Sequence, residues 1–85
     1  MTTTQNIAPL VPNCITARDQ NRQTDVRYDV ADVIVAGPNV QAQTGWTHSL
    51  LCHRPKGRKS FMVWAEFDPT TGCLVRHSSP VALAF

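Results

Sequence analysis

Ser60-Phe61-Met62-Val63-Trp64-Ala65-Glu66-Phe67-Asp68-Pro69-Thr70-Thr71-Gly72-Cys73-Leu74-Val75-Arg76-His77-Ser78 is the stretch that decides the fold. Its first half alternates: in an extended chain Phe61, Val63, Ala65 and Phe67 share one face, and Met62, Trp64 and Glu66 share the other. Apolar bulk on both sides marks a central strand whose second face is also in part covered. The segment Asp68 to Gly72 then turns the chain back. Proline presets the first corner of a type I turn, and glycine supplies a left-handed residue before the return strand Cys73 to Ser78. Counting outward from that turn sets Asp68 opposite Cys73, Phe67 opposite Leu74 and Trp64 opposite His77.

Toward the N-terminus, Arg54-Pro55-Lys56-Gly57-Arg58-Lys59 holds four of the eight basic side chains in six residues. Pro and Gly two positions apart mark a reversal, so these charges sit at a hairpin tip. The apolar run Trp46 to His53 leads into it. Trp46–His53, Lys59–Asp68 and Cys73–Ser78 therefore read as an antiparallel meander.

Residues 25–36 carry two periods. Val26, Tyr28 and Val30 alternate as in a strand, while Val26, Val30, Val33 and Ile34 fit one face of a helix. The β-branched content (Val26, Val30, Val33, Ile34, Val35) together with Tyr28 favours a strand, with a kink or bulge near Asp32 where the alternation slips. A helix started by Thr24 or Asp25 and stopped by Gly37 is the alternative. Gly37-Pro38-Asn39 reads as the turn that ends the element. At the other end of the chain, Pro80 interrupts, and Val81–Phe85 is expected to add a short strand that closes the sheet on itself.

Residues 1–24 show neither period and read as an N-terminal arm followed by a polar loop, Arg18 to Asp25. Ile7, Leu10, Val11 and Ile15 are placed to dock the arm on the core, as a short edge strand ending near Pro12. The fold expected from all this is mainly β: a small antiparallel sheet or a five-stranded barrel of the SH3-like or OB-like kind over residues 25–85. The alternative is an α+β unit with one helix at about 25–36 packed on the meander.

Composition bounds the function classes. A chain of 85 residues, 42% hydrophobic and 16% charged, has enough apolar content for one globular domain. The net charge of +2 is too weak for general polyanion affinity, but it is uneven. Residues 1–45 balance Arg18, Arg22 and Arg27 against Asp19, Asp25, Asp29 and Asp32, a net of −1, and residues 46–85 carry +3. An anionic partner should approach the second half. No run nears the ~20 apolar residues of a membrane span and no basic leader precedes one, so a cytoplasmic location without membrane contact is expected. Cys14, Cys52 and Cys73 lack motif spacing and read as reduced thiols.

His48, Cys52, Cys73 and His77 are the residues zinc prefers. Their four-residue spacings, however, span about 13 Å along a strand, against the roughly 4 Å between donors on one ion. Cys52 and His53 are adjacent, and adjacent strand residues face opposite ways, which removes them as a nucleophile and base. Neither a phosphate-cradling glycine loop nor a carboxylate pair is present, so neither an enzyme nor a cofactor is expected.

What remains is binding. Arg54, Lys56, Arg58 and Lys59 at the tip, with Met62, Trp64 and Trp46 on the flanking strands, suit a small interaction module that takes a protein partner with an acidic surface. Its size matches the small accessory or inhibitory proteins of mobile elements. A nucleic-acid-binding β-module using loop 54–59 is the runner-up, with aromatic rings available to stack bases. A small zinc-binding domain is third. Self-association through the aromatic face is a further expectation.

Overall fold

The computed structural model describes residues 8–19 and 23–83. It is a single antiparallel sheet, curled into a half-barrel, with one short helix. Its elements are β1 (Cys14–Asp19), β2 (Thr24–Val35), α1 (Pro38–Thr44), β3 (His48–His53), β4 (Ser60–Phe67), β5 (Leu74–His77) and β6 (Val81–Ala82). The strand order is β1-β2-β3-β4-β5, and β6 pairs with β4 beside Phe61 and Met62. The far edge of β4 is thus shared by two short strands, β6 along its start and β5 along its end.

Curvature comes from β2. Its first half pairs with β1, its second half with β3, and the ladder slips between Val30 and Asp32. The extra residue, Ala31, is a bulge that bends a twelve-residue strand around the core. The slip in alternation near Asp32 therefore has the structural meaning expected of it, and the helical alternative for residues 25–36 is replaced by a strand that runs to Val35.

The inner face holds the core: Ile15, Ala17, Tyr28, Leu50, Cys52, Phe61, Val63, Ala65 and Phe67, with Val11, Val26, Val30, Val33 and Leu74 packed at its margin. Leu50, Cys52, Val63 and Ala65 are sealed from solvent. Along β4 burial alternates at every residue, with Phe61, Val63, Ala65 and Phe67 inward. Tyr28 meets Phe61 edge to face at 5.2 Å between ring centres, the geometry the aromatic quadrupole favours.

The meander has the expected strands, and Phe67 stands opposite Leu74. Beyond that pair the ladder shifts, so that Glu66 faces Arg76 and Ala65, not Trp64, faces His77. Val75 is the residue that slips out, and Trp64 is instead bound to Ser78, whose backbone N–H donates to the Trp64 carbonyl at 2.9 Å. The β4–β5 turn forms as its residues dictate: the Asp68 carboxylate accepts the Thr70 N–H at 2.7 Å and Gly72 takes φ 78°.

Three further departures have physical causes. Gly37-Pro38-Asn39 opens helix α1 where a turn was expected, with Pro38 in its first turn and Gly45 at φ 83° ending it; proline fits there because the first helical N–H groups have no partner anyway. Cys14–Asp19, within the stretch read as arm and loop, is the edge strand β1, since Ile15 and Ala17 find the inner face of β2 to cover. The final strand pairs with β4, not with β1, leaving the sheet open. Val11 packs on the core and Leu10 donates its N–H to the Gly72 carbonyl at 2.8 Å, although the Leu10 side chain is exposed. The expectations for Ile7 and for residues 84–85 of the last strand lie outside the described residues. Among the described residues no helix is long and apolar enough to cross a membrane.

Candidate functional site

The outer face of the sheet has three cross-strand rows fixed by register. Ile34, Ser49 and Trp64 form one; Asp32, Leu51, Met62 and Val81 the next; Asp29, His53 and Ser60 the third. Trp64, Met62 and Leu51 are half-buried, while Ile34 and Val81 are 56% and 53% exposed. From Trp64 to Ser60 the strand covers about 13 Å at ~3.3 Å per residue, and the chain then passes into the basic loop. The cations therefore lie past the end of the strip, with the Asp29, His53 and Ser60 row between them and Met62.

The loop is a tight turn in which the Gly57 N–H donates to the Arg54 carbonyl at 3.0 Å. Lys56, Arg58 and Lys59 are exposed. Arg54 is placed differently: its guanidinium carbon sits 5.1 Å from the Phe61 ring centre and 5.8 Å from that of Tyr28. It closes the end of the inner face by cation–π contact, so the tip presents three cations where four were expected.

Trp46 belongs to a separate cluster. The Arg76 guanidinium lies 3.9 Å from its ring centre, its Nε donates to Glu66 Oε1 at 2.5 Å, and its Nη2 donates to the Thr44 carbonyl at 3.2 Å. One arginine thus ties the C-terminal end of α1 to β4 and β5. Trp46 is covered by this arginine, while Trp64 and Met62 sit in the strip; no sequence pattern distinguishes the two tryptophans, since the contact joins residues thirty positions apart.

Carboxylates border the strip on its β2 side. Asp29 accepts from Arg27 Nε at 3.1 Å, and the Asp32 carboxylate accepts the Val33 N–H at 2.8 Å. The sequence left these acids as solvated residues of an alternating strand; register alone puts Asp29 beside His53 and Asp32 beside Leu51.

The metal candidates are dispersed. His48 and His77 flank Ala65 on neighbouring strands, Cys52 lies four residues along β3 in the core, and Cys73 is exposed at the turn before β5. Among the described residues no group of three or more His, Cys, Asp or Glu side chains is arranged to hold an ion. Burial pushes the Cys52 thiol up to about 11, which keeps it protonated and unreactive at neutral pH. His53 is on the opposite face, with its Nδ1 3.5 Å from Ser60 Oγ.

A cleft of about 380 Å³ opens where α1 and the β4–β5 turn approach, between Val35, Gln41, His48, Phe67 and Pro69. His48 stands edge-on to Phe67 at 5.1 Å between ring centres, and its Nδ1 lies 2.8 Å from Thr47 Oγ1. Desolvation lowers its pKa below the ordinary 6.5, favouring the neutral ring. The chain matches no protein-family model, no curated protein and no solved structure.

Proposed function

We propose that the protein is a non-enzymatic interaction module that binds a protein partner across the outer face of its sheet. The observation that carries this reading is the strip of Trp64, Met62 and Leu51 with Ile34 and Val81 exposed at its sides, and with the cations Lys56, Arg58 and Lys59 in the loop beyond one end. Half-buried tryptophan supplies rigid contact area, methionine adapts to the partner's shape, and a charged border selects orientation. The partner surface has an apolar centre, with acidic groups toward the loop.

Nucleic acid is the weaker reading because Asp29 and Asp32 lie on the same face as the strip and repel phosphates. Three exposed cations would give a slope of log affinity against log salt near roughly −2.7 on duplex DNA, at ~0.9 per phosphate contact. The experiment is capture from the source cells with wild type, Trp64→Ala and a Lys56→Glu/Arg58→Glu/Lys59→Glu variant, each with and without nuclease. A nuclease-resistant partner lost with Trp64→Ala and weakened by the charge reversal is the expected result. Capture abolished by nuclease, with the steep salt slope, would replace this reading with the nucleic-acid one.

A further inference from the structure

The edge strand β1 carries an inference that the outer face does not. Among the described residues β1 has a neighbour on one side only. In an antiparallel ladder, backbone groups point alternately toward and away from the neighbouring strand. The Val30 N–H donates to the Asn13 carbonyl at 2.9 Å, and Cys14 is paired with Asp29. Residues 13, 15 and 17 thus turn their backbone groups toward β2, and Cys14, Thr16 and Arg18 turn theirs to the open side.

Natural edge strands are protected by proline, charged side chains and above all lysine, bulges, inward charges or extreme shortness. The other end of the sheet has such devices: β5 is four residues with a slipped ladder, and β6 is two residues directly after Pro80. β1 is less guarded, its charge confined to its last two residues, Arg18 and Asp19. Its six-residue ladder is unbroken, and its inward side chains are Ile15 and Ala17.

We infer that β1 pairs antiparallel with β1 of a second copy, about a two-fold axis through Thr16. A two-fold axis perpendicular to the sheet keeps both core faces on the same side, so odd residues must meet odd and even must meet even. Centring on Thr16 uses all three outward-facing residues, for about six backbone hydrogen bonds. It sets Thr16 against Thr16, Cys14 against Arg18, and the large Ile15 against the small Ala17. No like charges are opposed, and the interface is isologous, as closed dimers require.

The test exploits the self-pairing of Thr16, an exposed position. Light scattering on the purified chain should give twice the chain mass of 9.4 kDa. Thr16→Lys alone and Thr16→Glu alone should each run as single chains, because each places like charges face to face across the axis. An equimolar mixture of the two should return to the dimer mass, and Thr16→Val should remain dimeric. A wild type that runs as a single chain overturns the inference, as do Lys and Glu variants that dimerise separately as well as wild type does. A mixture that stays monomeric while Thr16→Val dimerises overturns the register.

Discussion

His48 shows how one residue links packing to solution behaviour. Its folded pKa lies below the unfolded 6.5 because burial against Phe67 disfavours the charged ring. Between those two values the unfolded chain binds more protons than the folded one, so stability is full above about pH 6.5 and declines as pH falls toward the lowered value. Denaturation midpoints measured from pH 7.5 to 5 should fall for wild type and fall less for His48→Gln. Cys52 makes a second residue-scale statement. With the thiol buried and protonated, a thiol reagent at neutral pH should label exposed Cys73 in the native chain and reach Cys52 only on unfolding, as mass spectrometry of the digested protein will show. Gly45 gives a third. At φ 83°, with a Cβ falling 3.2 Å from Arg76 Nη2, Gly45→Ala should cost about 1 kcal/mol and loosen the Arg76 contact with Trp46, read as a shift in tryptophan emission.

At the scale of elements, β2 is the device that turns a flat sheet into a half-barrel. Deleting Ala31 removes the bulge but leaves Val30 opposite Cys52, so Val26, Tyr28 and Val30 still face the core and only the bend of the strand is lost. A transition that stays cooperative but moves to lower temperature is the expected outcome, measured by circular dichroism on heating. The same element shows what the sequence could and could not disclose. Alternation in β4, the Pro69–Gly72 turn and the slip at Asp32 are local patterns, and each maps onto its element. Helix α1 escaped notice because it buries no residue, so no apolar period announces it; Pro38 at its start and Gly45 just past its end were its only markers. β1 was obscured because its two inward residues, Ile15 and Ala17, are too few to establish a period. The slipped ladder at Val75 and the cation–π seat of Arg54 arise from tertiary contact, which no window of sequence contains.

For the whole molecule, the proposed function divides the labour between the two sides of one sheet. The inner side supplies stability: Val63 is fully buried between Leu50 and the surrounding core strands. The outer side is the proposed recognition surface, with Trp64, its neighbour in sequence, facing the other way in a strip that the rest of the fold covers only in part. The most direct measurement compares Val63→Ala with Trp64→Ala for both thermal unfolding and capture of the partner. Val63→Ala should cost about 2 kcal/mol and lower the melting temperature by roughly 10 °C while the folded protein still captures the partner. Trp64→Ala should keep cooperative unfolding with a smaller drop and lose capture. A Trp64→Ala chain that no longer folds, or that captures the partner as well as wild type does, would contradict the assignment of the outer face.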